Sequence, residues 1–252
     1  MTNLGIGINI SKKCCCKKLS GSGGKPVYPN WFNNSIVCWY DIKRQGATNE
    51  SLTLDPKLID LSGNNRHLTL VGFDTFTEDN GITKHGDALL FNKNNCYGIS
   101  ENQPTLTDYT IICKRIGRSF TYGTVASKSV TNYDVDGAFI FETWKYRANY
   151  SFGGENHFDN HGEIISYQTK TSYNGIPLKV GNLPDTNTLY IGSTRTITDT
   201  WNGELYAFLL FDKSLELWQI DWIKKHLLGD EDYYAFDDHS PILYDNHKTV
   251  NV

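Results

Sequence analysis

Residues 201–212 read WNGELYAFLLFD. It opens with polar and small residues and becomes an unbroken apolar run from Tyr206 to Phe211. Apolar runs of roughly four to eight residues bounded by turn-type residues are typical of strands buried on both faces. We therefore predict a long strand whose second half is covered on both sides.

Shorter strand-like segments precede this run, at the spacings expected of an all-β sandwich. Asn174-Gly175 predicts the tip of a hairpin, because both residues tolerate positive φ. Segments 87–91 and 96–99 predict a second hairpin, and the polar residues 43–55 predict a loop. We expect Gly203 to permit a close approach of two backbones. The remaining predicted strands cover residues 35–40, 67–71, 109–116, 122–127, 138–142, 147–151, 164–169 and 188–193.

A single helix is predicted after the long strand. Ser214 is a plausible N-cap, Glu216 would lie in the first turn, and Gly229 would occupy the C′ position. Apolar residues then recur at spacings of three and four, which indicates an amphipathic helix. These residues are Leu215, Trp218, Trp222, Ile223 and Leu227.

Composition favours β-structure, with 15 Tyr, 12 Phe and 6 Trp among 252 residues. The fold class that we predict is an all-β, two-sheet antiparallel jelly-roll sandwich with one C-terminal helix and an N-terminal anchoring arm. The net charge is −4, and no basic stripe is visible, so we expect no nucleic-acid partner.

Three parts of the chain differ in character: an arm at 1–26, a body at 27–229 and an acidic tail at 230–252. The arm holds five Lys and no acidic residue. It alternates apolar with small or polar residues and ends in a Gly/Ser linker, so we expect it to pair with another subunit or a larger assembly. A disordered tail is the alternative. The expected anchor residues are Leu4, Ile6, Ile8, Ile10, Lys12 and Lys13.

The cysteines and the N-terminal residues indicate a reducing compartment. Cys38 and Cys113 lie in apolar strand-like runs, which predicts buried free thiols. The N-terminal residues lack a charged start followed by a long apolar run, so we expect no signal peptide. No stretch approaches the roughly 20 apolar residues of a membrane span.

Six motifs, in order along residues 35–228, resemble concanavalin A-like, laminin-G-type lectin and glucanase domains. The resemblance implies a jelly roll of two curved sheets and leaves the activity open, because one fold hosts many functions. The motifs are Trp39-Tyr40-Asp41, Asp60-Leu61-Ser62-Gly63-Asn64, Gly86-Asp87-Ala88-Leu89-Leu90-Phe91, Tyr173-Asn174-Gly175, Leu189-Tyr190-Ile191-Gly192 and Trp201-Asn202-Gly203-Glu204-Leu205.

The arm followed by a lectin-like body resembles virion proteins of tailed phages. This resemblance implies a non-enzymatic capsid decoration, head fibre or tail adhesin that docks on other virion proteins through residues 1–26. It would assemble in the host cytoplasm, as a homo-oligomer with a trimer favoured, and display a domain for host glycans. A carbohydrate-binding module outside a virion is the alternative.

The sequence offers no catalytic signature, and a glycoside hydrolase is only the third hypothesis. That chemistry would need two carboxylates on one strand face, and a run such as Glu-x-Asp-x-x-Glu does not occur. Residues 134–137 and 157–161 carry possible metal ligands but are more typical of polar turns. We predict no catalytic residue, no metal and no cofactor.

Sugar binding needs exposed aromatic rings beside amides and carboxylates, because ring faces stack on sugar C–H surfaces. One part of the sequence combines these groups. The predicted carbohydrate-binding residues are Trp144, Tyr146, Tyr150, His157, Asp159 and Asn160.

Overall fold

Two antiparallel sheets pack face to face, and a helical layer lies outside one of them. The computed structural model describes residues 28–92, 95–117, 123–129, 140–142, 146–148, 151–152, 164–177, 185–193 and 200–229. The predicted all-β sandwich is confirmed. Residues 1–26, with all the expected anchor residues, and the tail at 230–252 lie outside the described residues.

The first sheet, sheet A, has the strand order β1-β15-β6-β11-β12-β13, and β4 also pairs with β15. Its strands are β1 (Ile36–Asp41), β4 (Leu89–Phe91), β6 (Thr110–Gly117), β11 (Ile164–Thr169), β12 (Ser172–Tyr173), β13 (Ile176–Pro177) and β15 (Gly203–Phe211).

The second sheet, sheet B, has the strand order β10-β9-β8-β7-β14-β5-β3-β2. Its strands are β2 (Lys57–Leu58), β3 (Leu68–Val71), β5 (Tyr97–Ser100), β7 (Thr124–Ser129), β8 (Ile140–Glu142), β9 (Tyr146–Ala148), β10 (Ser151–Phe152) and β14 (Asp185–Ile191).

Four helices complete the described part of the chain. They are α1 (Asn30–Asn33), α2 (Ile42–Gln45), α3 (Asn49–Leu54) and α4 (Leu217–His226). Among the residues that the structure describes, none of the helices has the length and apolar character that a membrane span needs.

Strand β15 is buried on both faces, as its apolar run predicts. Phe208 and Leu210 point into the core between the sheets. Ala207, Leu209 and Phe211 alternate with them and pack in a second cluster that includes residues of α4. Because successive side chains of a strand point to opposite faces, alternate residues of this apolar run pack in the core between the sheets and in the cluster under α4.

The edge of sheet A at β1 is covered by the loop at residues 60–66. The Trp39 amide donates to Asp60 Oδ1 (2.9 Å), and the Leu61 amide donates to the Trp39 carbonyl (2.8 Å). Asn64 Nδ2 and Arg66 Nη1 both donate to the Val37 carbonyl, at 3.1 and 3.0 Å. An unpaired strand edge is a template for pairing with another chain, and this loop occupies that edge.

The carboxylate of Asp60 also holds the loop itself in shape. Oδ1 accepts from the Ser62 amide (3.0 Å), and Oδ2 accepts from Ser62 Oγ (2.8 Å) and from the Arg66 amide (3.0 Å). Gly63 and Asn65 supply the positive φ angles, 84° and 58°, that the tight turn requires. Asp60 is itself buried.

Two local predictions about glycine are confirmed. Asn174 and Gly175 have φ angles of 45° and 81° at the tip of the β12–β13 hairpin. At Gly203, a Cβ atom would lie 2.5 Å from the Ile116 carbonyl oxygen and 2.3 Å from the Trp201 ring. Only glycine fits this approach without displacing the neighbouring strand.

The predicted hairpin of residues 87–91 and 96–99 is wrong. Strand β4 joins sheet A beside β15, whereas β5 joins sheet B between β14 and β3. The chain therefore crosses from one sheet to the other between these strands. Phe91 lies in the core between the sheets, where it packs with residues from distant parts of the chain. A local sequence pattern cannot identify such partners, so it did not predict the correct pairing.

The predicted loop at 43–55 is also wrong, because it contains most of α2 and all of α3. The Asp41 side chain accepts from the Arg44 amide (2.9 Å), and the Thr48 hydroxyl accepts from the Ser51 amide (3.1 Å). Each bond caps a helix start. The short polar helices have few apolar residues, so their hydrophobic pattern is weak.

The boundaries of the C-terminal helix differ from the prediction at both ends. Ser214 is not the N-cap, because its amide and hydroxyl bind the Asp108 carboxylate at 2.8 and 2.7 Å. Glu216 precedes the helix and forms a capping box with Gln219. Leu227 is the C-cap, so Gly229 lies one residue beyond C′.

Cys38 and Cys113 are buried free thiols, which confirms the prediction, and Cys96 is buried as well. Burial raises the pKa of Cys113 to about 12, although the nearby Arg115 charge opposes the shift. Burial also raises the pKa of Cys38, and the Asp60 charge adds to that shift. Both groups are therefore neutral thiols in the folded protein at neutral pH.

We expect Asp60→Ala to lower the free energy of unfolding by about 3 kcal/mol, because it removes hydrogen bonds that a buried carboxylate accepts from the Trp39, Ser62 and Arg66 amides. Chemical denaturation measures this change. Glu78→Gln, at an exposed position, is the control and should change stability by less than about 0.5 kcal/mol. Equal stability of the two variants would contradict the role of Asp60.

We expect Cys38 and Cys113 to resist alkylation in the native protein at pH 7.5, because the reactive thiolate is suppressed and access is blocked. Peptide mapping after iodoacetamide treatment measures the modified fraction at each cysteine. The same treatment in guanidinium chloride is the control and should modify both completely. Rapid labelling of either residue in the native protein would disprove its burial.

Candidate functional site

The outer face of sheet A is occupied by the helical layer. Trp222 and Ile223 of α4 and Phe32 of α1 share a buried cluster with outward-facing residues of β15. Lys114 Nζ donates to the Leu228 carbonyl (2.9 Å), and Arg44 Nη2 donates to the Leu227 carbonyl (3.3 Å). Two cations thus hold the C-terminal end of α4, where the helix dipole favours positive charge.

The outer face of sheet B carries a set of half-buried side chains that we call the tyrosine face. Residues of β3, β5 and β14 alternate between the core and this face. The described helices pack elsewhere: α1 and α4 against sheet A, and α2 and α3 through Ile42 and Leu52 into the core. The tyrosine face consists of Thr69, Val71, Tyr97, Ile99, Thr188 and Tyr190.

Two tyrosine rings lie side by side at the centre of this face. Tyr190 of β14 pairs with Ile99 of β5, and Tyr97 of β5 pairs with Val71 of β3. Tyr97 and Tyr190 are therefore diagonal neighbours on adjacent strands, which long side chains can bridge. Their ring centroids are 6.3 Å apart, and the rings are tilted by 37°.

The charged side chains described near the tyrosine face lie at its margin. Lys57 of β2 pairs with Thr69 of β3, and its Nζ atom is 3.1 Å from Asp55 Oδ1. Glu101 follows β5 two residues after Ile99 and is exposed. The six residues of the face itself carry no charge. The local balance is neutral to acidic.

The predicted carbohydrate-binding residues fall on a continuation of the same sheet or outside the described residues. Tyr146 lies on β9, where it pairs with Phe141, and Phe141 pairs with Ala126. A second row of the ladder connects Tyr190 through Ser127 and Ile140 to Arg147, also on β9. Outside the described residues lie Trp144, Tyr150, His157, Asp159 and Asn160.

Three strand spacings separate β14 from β9, which amounts to about 14 Å. Of the six predicted carbohydrate-binding residues, Tyr146 lies among the described residues and the other five lie outside them. Their role in sugar binding stays a prediction.

A polar group on the inner face of sheet A has a structural role. Arg115 and Tyr173 are fully buried, and Gln168 Nε2 donates to the Tyr109 hydroxyl (3.1 Å). Burial raises the pKa of Tyr173, and the nearby Arg115 charge opposes that rise. Groups enclosed between the sheets cannot contact a polysaccharide.

The described residues contain no group of three or more His, Cys, Asp or Glu side chains that could hold a metal ion. The possible ligands at 134–137 and 157–161 lie outside the described residues.

Sequence reasoning missed Tyr97 and Tyr190 as site residues. Both lie in segments that it assigned to strands, at 96–99 and 188–193. The available signal was alternation: each tyrosine is followed by a small or apolar residue that the sheet turns inward, Gly98 and Ile191. Alternation shows which residues of a strand share a face, but it does not show which face a helix covers.

No protein-family model matches the chain, and no curated protein matches its sequence. Solved structures do match. Trypanosoma rangeli sialidase, in complex with 2,3-difluorosialic acid, aligns with a TM-score of 0.54 and 12% identity, covering 78% of this chain and 34% of the sialidase. The binding domain of botulinum neurotoxin serotype D aligns with a TM-score of 0.51 and 13% identity, covering 78% of this chain and 53% of that domain.

The chain thus spans about a third of the sialidase and about half of the toxin domain that it matches. At such low identity these likenesses concern the fold. The chain has a β-sandwich fold of the lectin-like kind.

Proposed function

We propose that this protein is a non-enzymatic, carbohydrate-binding β-sandwich whose ligand contacts the tyrosine face. The observation that carries the proposal is the pair formed by Tyr97 and Tyr190, with centroids 6.3 Å apart on the sheet face that the described helices leave uncovered. Aromatic rings offer a large apolar surface, and tyrosine adds a hydroxyl that can hydrogen-bond to a sugar.

Two further observations support binding rather than hydrolysis. Hydrolysis of a glycosidic bond generally needs two carboxyl groups about 5 to 10 Å apart, flanking the bond. The tyrosine face has no carboxylate of its own, and Glu101 stands at its margin. The fold also occurs within a sialidase bound to a sialic acid derivative, which makes a sugar ligand a reasonable first choice to test.

The biological setting that we propose is a phage virion, in which residues 1–26 dock the subunit on other virion proteins. The sequence supports this setting through an arm with five Lys, no acidic residue and a Gly/Ser linker. The sandwich would then be displayed outward as a capsid decoration, head fibre or tail adhesin, in a homo-oligomer with a trimer favoured. The alternative is a carbohydrate-binding module or lectin that belongs to no virion.

We expect Tyr97→Ala and Tyr190→Ala each to weaken glycan binding about tenfold, because each removes one stacking ring. A glycan array followed by calorimetric titration of the best hit measures this loss. Tyr206→Ala is the matched control, since Tyr206 is a half-buried tyrosine on sheet A. Trp144→Ala tests the predicted cluster separately. Binding that survives both tyrosine substitutions would exclude the tyrosine face as the site.

We expect deletion of residues 1–26 to abolish incorporation into phage particles, because the deletion removes the proposed anchor. The measurement is co-sedimentation with particles produced in cells that express the full-length or the shortened chain. Glycan binding by the shortened chain is the control for folding and should be unchanged. Normal incorporation of the shortened chain would reject the anchor, and glycan binding without any particle association of the full chain would favour the alternative.

A further inference from the structure

We propose that the tyrosine face selects neutral glycans and discriminates against acidic ones such as sialylated chains. This inference rests on the proposed function and adds the chemical class of the ligand. It follows from three features of the described residues: the shape of the aromatic pair, the hydroxyl groups beside it and the charges at its margin.

The aromatic pair is suited to the uncharged surface of a sugar. Tyr97 and Tyr190 are on adjacent strands, with rings inclined by 37° and centroids 6.3 Å apart. Together they form an apolar platform wider than one ring, continued by Val71 beside Tyr97 and Ile99 beside Tyr190. Such a platform gains from covering C–H groups, and it would desolvate a carboxylate at considerable cost.

The polar groups of the face are neutral hydroxyls. Thr69 and Thr188 stand on β3 and β14, and the two tyrosines contribute phenolic groups. A hydroxyl can both donate and accept a hydrogen bond, which matches the hydroxyls of a neutral sugar. A carboxylate accepts only, and proteins usually recognise it with the paired donors of Arg.

The charges at the margin oppose an acidic ligand. Lys57 lies on β2 directly opposite Thr69 of β3. Its Nζ atom is 3.1 Å from Asp55 Oδ1, so the two side chains form an ion pair. Glu101 is exposed just beyond β5 and would repel a carboxylate placed over the Ile99 side of the face. Of the described charges on Lys57 and Glu101, the cation is already paired and the carboxylate is exposed, so neither favours an acidic ligand.

The test uses an array of matched glycan pairs that differ only in a terminal sialic acid, followed by calorimetric titration of the best pair. We expect the neutral member to bind at least tenfold more tightly. Val71→Lys places a cation beside Tyr97 and should reduce this preference several-fold. Ile116→Lys, on sheet A, is the matched control and should leave the preference unchanged.

The possible outcomes separate the two proposals. No binding of any glycan by the full chain would overturn the proposed function. Equal or tighter binding of the sialylated member, lost in Tyr97→Ala, would overturn the neutral preference and leave the site in place. Self-association in sedimentation velocity that Tyr97→Ala abolishes, without glycan binding, would assign the face to a second copy of the chain and overturn both.

Discussion

The Asp60 carboxylate joins the edge strand β1 to the loop at residues 60–66, and the closure of that edge of the sandwich depends on these hydrogen bonds. It accepts hydrogen bonds from the Trp39 amide of the strand and from the Ser62 and Arg66 groups of its own loop. The loop can then present Asn64 and Arg66 to the carbonyls of β1. Backbone groups that a neighbouring strand would satisfy are satisfied here by the side chains of Asp60, Asn64 and Arg66 and by the Leu61 amide. The edge is closed without adding another strand.

Sheet A buries both of its faces. One face meets sheet B through Phe208 and Leu210, and the other meets α4 through Leu209 and Phe211. Lys114 of β6 and Arg44 of α2 donate hydrogen bonds to the Leu228 and Leu227 carbonyls at the C-terminal end of α4. Sheet A is thus the middle of three layers, and it is sheet B that presents an outer face away from the described helices. The outer face of sheet B is therefore a better candidate for a ligand surface than the outer face of sheet A, which the helices cover.

The tyrosine face fits a role in binding because its chemistry is simple. It combines two aromatic rings, aliphatic neighbours and hydroxyl groups, with charges kept to the margin. Such a surface is suited to the stacking and hydrogen bonding of a sugar chain that we propose. The backbone ladder continues from β14 to β9, where the row of Tyr190 leads to Arg147 and the row of the core residue Ile191 leads to Tyr146.

Local sequence patterns predict most of the strands and the tight turns of this protein. The run at 201–212, the Asn174-Gly175 tip and Gly203 depend on alternation, positive φ and steric fit, which are local properties. The thiols of Cys38 and Cys113 could also be predicted as buried, because apolar strands surround them. The helix ends and the stretch at 43–55 were misjudged, since caps at Asp41, Thr48 and Glu216 leave little hydrophobic pattern.

The pairing of the strands and the choice of the covered sheet face depend on contacts between distant parts of the chain. Strands β4 and β5 have similar local patterns and lie in different sheets, because their partners β15 and β14 come from the far end of the chain. Tyr97 and Tyr190 are separated by more than 90 residues and meet only once β5 and β14 pair. Period-two alternation says that two faces exist. Which face packs against α4 depends on the packing free energy of the whole sandwich. A short stretch of sequence does not determine that free energy.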